Sequence, residues 1–448
     1  MYIDRIELTN VRSFGKTQRI EFVHPDSKFQ SSKTLVATNG KYLPRPRLKN
    51  VNLLLGDNGS GKTTVLRAIA AAAFGPAAKD ILRDSSIVRI GKSDGWFLAQ
   101  VKLHEQDDTD EESKTLVVGL DRMGERLDVT TRLDVQSDWI PKQNELFDES
   151  EYRHFWRKVY ESENEAFFIV GYGATRRVEQ LDKYDPGARS KLRPMRDQRV
   201  MSLFEDSFSL IPLASWLPQL KSRSHSHYEQ IVKLLSSMIK PGRYEFIGKQ
   251  DKRGDFLFQR GEMDIPFQSL SDGYRAFIGW VGDLLHHLYF GCLKGKDKGS
   301  ELIDVHGIVL VDEIDLHLHP KWQMQVLETV SKTFPKLQFI VTSHSPLVAS
   351  SLEWMNVFRL KTTGKENQTV AKRVRQTIHG LDADQILLTD LFGLTTTRAV
   401  TRHRQLEHLR QSATLGNTEA KRRYVRALAS GSESTIADES ESRREVAE

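Results

Sequence analysis

Gly56-Asp57-Asn58-Gly59-Ser60-Gly61-Lys62-Thr63 is the stretch that decides the fold, because it fits the pattern GxxxxGK(S/T). It follows the apolar stretch Val51 to Leu55, which predicts a strand, and leads into the alanine-rich stretch Lys62 to Phe74, which predicts a helix. Glycines let a backbone wrap so that its N–H groups point at phosphate oxygens, and the first turn of a helix adds partial positive charge. The stretch therefore predicts a phosphate-binding loop.

Two residues at the end of this loop carry its predicted chemistry. Lys62 is expected to reach the β- and γ-phosphates of a nucleotide, and Thr63 to place its hydroxyl on Mg²⁺. The candidate nucleotide-binding residues of the loop are Gly56, Asp57, Asn58, Gly59, Ser60, Gly61, Lys62, Thr63 and Thr64. A purely structural glycine-rich turn is the alternative, and the complete pattern between a strand and a helix disfavours it.

A pair of carboxylates follows a second predicted strand. The apolar run Ile308 to Val311 is typical of a buried parallel strand, and it leads directly into Asp312 and Glu313. Carboxylates in this position lie at the sheet edge where ligands bind. We expect Asp312 to support the Mg²⁺ shell and Glu313 to act as the general base on the attacking water. A solvated acidic turn is the alternative interpretation of this pair alone.

A histidine ends a third predicted strand. The run Phe339 to Thr342 follows the acidic pair by about one helix, which is the spacing of a crossover unit. This places His344 near the γ-phosphate, although a histidine at a strand end is more often structural.

The segment Leu270 to Arg275 precedes apolar residues at helical spacing. Ser271 is the predicted N-cap of that helix, and the N–H groups around Gly273 form a predicted anion site. Taken alone this signal is weak, because Ser-Asp-Gly also forms ordinary turns.

In their order along the chain, these segments resemble the Walker A, signature, Walker B and switch-histidine motifs of ABC-type ATPases. The opening Ile6 to Phe14, the signature Leu270 to Arg275 and the run Asp312 to Pro320 resemble the RecF, SMC and OLD-like AAA branch, including Septu-like or OLD-like ATPases of bacterial anti-phage systems. The resemblance covers Met1 to about Leu360, and Asp384 to Leu394. It implies an α/β fold of the P-loop NTPase, ABC type: a mixed sheet core flanked by helices, with a helical insertion between the Walker A and signature motifs.

The resemblance also implies what the chain does. It implies ATP and Mg²⁺ as cofactors, hydrolysis to ADP and phosphate, and a homodimer or higher oligomer in which Ser271 and Gly273 act on the nucleotide of the other subunit. The leading hypothesis is an ATPase that senses or binds DNA and controls a separate effector, a nuclease or toxin, in anti-phage defence. A RecF-like DNA-repair clamp is the alternative. No glutamine loop is assigned: Gln100 is a weak candidate, and the glycine-rich loop Gly171 to Arg176 recurs in this ATPase group without an assigned role.

Composition and linkers suggest five segments. They are an N-terminal ATPase lobe (1–150), a helical lid insertion (151–250), a C-terminal ATPase lobe (251–395), a basic helical segment (396–430) and a disordered tail (431–448). We also expect an exposed insertion from His24 to Lys49 and an acidic loop from Asp107 to Lys114.

Charge and composition limit the possible partners, membrane segments and cellular compartment of the protein. The net charge is +5 and the pI about 9.0, so DNA is a candidate partner for a basic face, with an ordinary solvated surface as the alternative. The basic residues between Arg398 and Arg426 could bind phosphates, and a solvated helix or a subunit contact is the alternative. No apolar run approaches the length of a membrane span, and the single Cys292 fits a reducing cytoplasm. The His317-Leu318-His319 spacing is a weak zinc candidate.

Overall fold

The computed structural model describes most of the chain. The described residues are 1–27, 46–82, 85–104, 113–123, 126–134, 156–157, 159–160, 167–181, 183–192, 195–293, 301–364, 367–375, 378–398 and 400–430. Most of the expected exposed insertion, most of the acidic loop and the whole tail lie outside them. The chain forms two compact units, Met1–Ala383 and Asp384–Glu448.

The described part of the chain contains both strands and helices. The described strands are β1 Tyr2–Thr9, β2 Gln18–Glu21, β3 Val51–Gly56, β4 Asp94–Lys102, β5 Ser113–Met123, β6 Arg126–Asp134, β7 Ile169–Tyr172, β8 Glu245–Gln250, β9 Phe256–Arg260, β10 Met263–Pro266, β11 Gly307–Val311, β12 Leu337–Ser343, β13 Val357–Thr363 and β14 Gln368–Arg373. The described α-helices are α1 Lys62–Phe74, α2 Ala78–Ile81, α3 Pro186–Leu192, α4 Met195–Gln198, α5 Leu213–Arg223, α6 His225–Ile239, α7 Asp272–Leu288, α8 Pro320–Gln323, α9 Val326–Thr333, α10 Pro346–Ser350, α11 Ala383–Leu387, α12 Val400–Thr414 and α13 Thr418–Ser430.

A six-stranded sheet in the order β14-β13-β3-β12-β11-β7 positions the candidate site. The strands from β13 to β7 are parallel, and β14 adds an antiparallel edge. Every residue of β11 and β12 is buried, as the mainly apolar runs Ile308 to Val311 and Phe339 to Thr342 predict. Leu55 pairs with Ser343, and Val311 with Val341, so the carboxyl ends of β3, β12 and β11 meet at one edge. The three predicted strands of this sheet are confirmed.

Helix α1 lies between this sheet and a second, antiparallel sheet in the order β2-β1-β4-β5-β6. Its bounds, Lys62–Phe74, match the predicted helix, and the run Ala70 to Ala73 is buried. A helix packed on both sides needs small residues, and alanine supplies them at little entropic cost. Strand β1 ends at Thr9, because Asn10 and Arg12 adopt left-handed φ values of 54° and 45°.

The region between the phosphate loop and α7 contains more than helices. Helices α5 and α6 pack against α7 around buried residues such as Trp216 and Leu220, which fits the predicted helical insertion. Beside them lies a three-stranded antiparallel sheet in the order β10-β9-β8, which the sequence patterns did not indicate. The alternation of burial along β9 is typical of a strand: Phe256 and Phe258 are buried, while Leu257 and Gln259 are only partly buried.

The second unit contains the predicted basic helices, α12 and α13. Two of its arginines are paired within their own helices, Arg410 with Glu407 and Arg423 with Glu419. Lys421 and Arg422 are exposed. Among the described residues of the whole chain, no helix is both long enough and apolar enough to cross a bilayer.

Candidate nucleotide-binding site

The loop between β3 and α1 is shaped by its glycines. Gly59 and Gly61 adopt φ values of 77° and 92°, which side chains other than glycine rarely tolerate. A Cβ at Gly56 would lie 2.3 Å from the carbonyl oxygen of Leu360 on the neighbouring strand. Helix α1 starts at Lys62 with no side-chain cap and no acidic residue in its first turn. Its first N–H groups therefore favour an anion.

Lys62 lies inside this loop. Its side chain is buried, and Nζ donates to the carbonyl oxygens of Gly56 at 2.8 Å and Asp57 at 3.1 Å. Burial lowers the pKa of Lys62, while Asp312 and Glu313 act in the opposite direction. Within the same loop Ser60 and Thr64 are buried, and Asp57, Asn58 and Gly59 are exposed at its tip.

Thr63 and Asp312 meet across the sheet edge. Thr63 Oγ1 donates to Asp312 Oδ2 at 2.6 Å, and Thr342 Oγ1 donates to the other carboxylate oxygen, Oδ1, also at 2.6 Å. The Asp312 side chain is thus oriented by two hydroxyls from two different elements. A hydroxyl and a carboxylate in contact are hard oxygen donors of the kind that Mg²⁺ prefers.

The backbone of Glu313 is fixed on both sides. Its N–H donates to Thr342 Oγ1 at 2.7 Å, and its carbonyl oxygen accepts a bond from Arg176 Nη2 at 2.6 Å. Its φ of 49° is left-handed, an unusual conformation for glutamate that these two bonds maintain. The partly exposed side chain therefore leaves the strand end in a set direction.

Arg176 is a site residue to which sequence reasoning gave no role. It is 4% exposed, and burial lowers its pKa to about 10, so it stays charged at neutral pH. It sits beside Asp312, Asp315 and Glu313, whose charges favour the guanidinium. The sequence feature that could have identified Arg176 is the glycine-rich loop after β7. This loop packs closely, because a Cβ at Gly173 would lie 2.0 Å from the Ser202 carbonyl oxygen.

His344 follows the last residue of β12, and its side chain is partly exposed. On the sheet this is next to the start of the phosphate loop, because Ser343 pairs with Leu55. Ser345 anchors the following turn: its Oγ caps α10 and donates to Gln323 Oε1 at 2.7 Å. The structure therefore places His344 at the same edge as Gly56 and Asp312.

The predicted signature lies at the start of α7. Ser271 occupies the N-cap position, but its hydroxyl makes no capping bond, and the residue is exposed. A Cβ at Gly273 would lie 2.1 Å from the carbonyl oxygen of His317, in the loop that follows Glu313. The rings of Tyr274 and Trp322 are in tilted contact, with their centroids 4.5 Å apart. Gly273 therefore has a packing role within its own chain, besides the predicted anion site.

Gln100 and His319 occupy positions that fit structural roles. Gln100 lies inside β4, paired with Arg5 and Thr115, rather than in a loop after a strand. His319 Nδ1 accepts the N–H of Lys321 and caps α8. Among the described residues no group of three or more His, Cys, Asp or Glu side chains is arranged to hold a metal ion.

A phosphate loop on one parallel strand, with a carboxylate pair and a histidine at the ends of the neighbouring strands, defines the class as a P-loop ATPase of the ABC type. Residues 51–350 match the family described as "AAA domain, putative AbiEii toxin, Type IV TA system", and the chain belongs to that family. The expected fold class and the expected placement in an AAA family of ATPases are thereby confirmed.

Proteins similar to this chain include two relatives and one solved structure. The chain is 24% identical to the Septu protein PtuA of Bacillus mycoides (strain KBAB4) over 400 residues, 88% of this chain and 45% of that protein. It is 27% identical to the Retron Ec83 probable ATPase of Escherichia coli over 260 residues, 53% of this chain and 46% of that protein. It thus spans less than half the length of both relatives. The SMC head bound to the C-winged helix domain of ScpA superposes with a TM-score of 0.49 at 14% identity, covering 83% of this chain and 98% of that chain.

Proposed function

We propose that this protein binds and hydrolyses ATP with Mg²⁺, and that nucleotide binding closes a dimer that controls a separate effector. The observation that carries the hydrolytic part is the bond between Thr63 and Asp312, with Lys62 and Glu313 at the same sheet edge. In this arrangement the loop N–H groups and Lys62 bind the phosphates. Thr63 and Asp312 would hold Mg²⁺, which would neutralise part of the negative charge of the phosphates.

Three further residues act around the attacking water and the γ-phosphate. Glu313 accepts its proton as general base, and its fixed backbone sets the direction of the carboxylate. His344 contacts the γ-phosphate from the neighbouring strand end. Arg176 is a positioning residue: it holds the Glu313 carbonyl and stabilises the cluster of carboxylates around it.

Replacing Arg176 should separate positioning from binding. In Arg176→Gln we expect kcat to fall about tenfold or more while KM changes less than about threefold, because the lost bond orients Glu313 and does not touch the phosphates. Steady-state ATPase kinetics measure this. The neighbouring exposed Arg177 provides the matched control, and Arg177→Gln should behave as wild type. An unchanged kcat in a folded Arg176→Gln variant would remove Arg176 from the mechanism.

The shared site rests on the start of α7. Its N-terminal N–H groups have no side-chain cap, and Ser271 is exposed there, so this helix end is available to an anion from outside its own chain. We propose that it caps the nucleotide bound by the opposite subunit.

Mixing two inactive variants tests the shared site. Ser271→Arg should block closure yet bind ATP, whereas Lys62→Ala should lose ATP binding. A mixed dimer carries one site with both defects and one with neither, so up to about half of the wild-type rate per dimer should return. Purified, differently tagged mixed dimers provide the measurement, with each parent as the control. Mixed dimers as inactive as both parents, together with no ATP-dependent crosslink across the interface, would reject a shared site.

The biological role is proposed from similarity. The run Asp312 to Pro320 resembles ATPases of anti-phage systems, and the similarity to a Septu protein and to a retron ATPase supports a role in defence beside an effector protein. We propose a nuclease or toxin as that effector.

DNA binding is the second function that we propose, as sensor or as RecF-like clamp. It is favoured by Lys421 and Arg422, which are exposed on α13. The double charge reversal Lys421→Glu with Arg422→Glu should weaken binding of a fluorescent DNA duplex and reduce its salt dependence. The same reversal at exposed Lys361 and Lys372 is the control. Equal affinity of both double variants and wild type would reject α13 as a DNA contact.

A further inference from the structure

An open groove of about 870 Å³ lies between α6 and β8, outside the candidate nucleotide site. Apolar side chains of Val232, Phe246 and Ile247 contribute to its lining. A groove that combines apolar side chains with a few polar ones is a feature of surfaces that bind other molecules.

Cations dominate the polar part of this groove. Lys221, Lys233, Lys240 and Arg243 line it, and none of them forms an ion pair with any residue that the structure describes. The two lining carboxylates are Glu229 and Glu245. Glu229 is already held by His225 at 3.1 Å. The groove therefore presents an excess of positive charge and complements an acidic ligand.

The groove offers contacts to side chains rather than a free strand edge. Strand β8 is an edge strand, and edge strands offer unpaired backbone groups to an incoming chain. Here α6 bonds two backbone groups of β8: Ser236 Oγ accepts the N–H of Phe246 at 3.2 Å, and the Tyr228 hydroxyl donates to the Gly248 carbonyl at 3.0 Å. A bound segment is thus held by the apolar lining and the surrounding cations.

Apolar lining and engaged aromatic rings favour a peptide over a nucleic acid. Single-stranded nucleic acid is bound by cations together with free aromatic faces for its bases. Both lining tyrosines are already in contact, Tyr228 with Lys221 and Tyr244 with Tyr274 and Arg260. A peptide with acidic and aliphatic side chains uses both parts of the groove.

The wall of the groove is bonded to the signature helix. The Tyr274 hydroxyl, in the first turn of α7, donates to the Gly242 carbonyl oxygen at 2.7 Å, and its ring contacts Tyr244 at 4.5 Å. A Cβ at Gly242 would lie 1.7 Å from that hydroxyl oxygen, so the two segments fit closely. Movement of the residue 242–244 wall would therefore displace the start of α7.

We propose that the groove docks an acidic, aliphatic peptide segment of a partner protein, and that Tyr274 transmits occupancy to the signature helix. This rests on the proposed function, because it supplies the contact through which ATPase and effector communicate. Docking itself needs no nucleotide.

A fluorescent peptide of Glu, Asp and Leu is the probe, and binding is measured by anisotropy without nucleotide. Wild type should bind it and release it as salt is added. The double reversal Lys233→Glu with Lys240→Glu should weaken binding about tenfold or more, whereas Lys249→Glu with Lys252→Glu, exposed and outside the lining, should not. The groove variant should keep basal ATPase activity, so a failed docking test leaves the ATPase proposal standing. If a control peptide with Lys in place of Glu and Asp bound wild type equally well, the proposal would be overturned. It would also be overturned if the groove variant lost binding of oligo-dT and kept binding of the peptide.

The link through Tyr274 has its own test. The peptide should alter the ATPase rate of wild type. Tyr274→Phe loses the bond to Gly242, so it should still bind the peptide within about threefold but lose at least half of that rate change. If Tyr274→Phe responds fully, the groove does not communicate through this residue.

Discussion

Lys62→Ala is expected to weaken ATP binding by roughly a hundredfold or more, since losing one buried, hydrogen-bonded charge partner costs about 3 kcal/mol. Lys62 is the buried cation of the loop, already enclosed by the carbonyl oxygens of Gly56 and Asp57. Its lowered pKa reflects that enclosure, and bound phosphates would add negative charge that favours the protonated amine. Hydrolysis should fall with binding.

Calorimetric titration with ATP and Mg²⁺ measures the loss. Lys79→Ala on α2 makes the same change at an exposed lysine and should bind like wild type. Thermal unfolding of both variants separates lost binding from lost folding. Unchanged affinity in folded Lys62→Ala would refute the phosphate-loop assignment.

The phosphate loop and α1 could be predicted from sequence because their determinants are local. Gly59 and Gly61 need left-handed φ values, and the alanine run that follows needs a helix with close neighbours, whatever the rest of the chain does. The same holds for the short apolar runs Ile308 to Val311 in β11 and Phe339 to Val341 in β12, which suit a strand buried on both faces.

What escaped prediction depends on contacts between distant parts of the chain. Arg176 bonds to Glu313 across 137 residues, and nothing in the glycine-rich loop identifies that acceptor. The sequence around Gly273 predicted an anion site, yet the atom closest to a Cβ placed on Gly273 is the carbonyl oxygen of His317. The strands β8 to β10 are short and half-exposed, so their alternation is weak beside the helices around them. Local patterns thus identify the phosphate-binding elements, whereas tertiary packing supplies the residues that orient them.

Glu313→Gln should bind ATP with little change and hydrolyse it about a hundredfold to ten-thousandfold more slowly. The amide has nearly the shape of the carboxylate but cannot accept the proton of the attacking water. The backbone bonds from Glu313 N–H to Thr342 and from Arg176 to its carbonyl do not involve the side chain, so the loop should keep its geometry. ATP should therefore accumulate on the protein, and any nucleotide-dependent dimer should persist.

Single-turnover hydrolysis together with equilibrium binding measures both effects. Asp315→Asn, two residues further along, removes the same charge from the same loop and also lies near Lys62 and Arg176. If Glu313 is the base, Asp315→Asn should keep at least about a tenth of the wild-type rate, since it changes only the surrounding charge. Equal losses in both variants would assign the effect to the charge of the loop. Wild-type turnover in Glu313→Gln would require a different residue to take the proton, and His344, at the end of the neighbouring strand β12, would be the next side chain to replace.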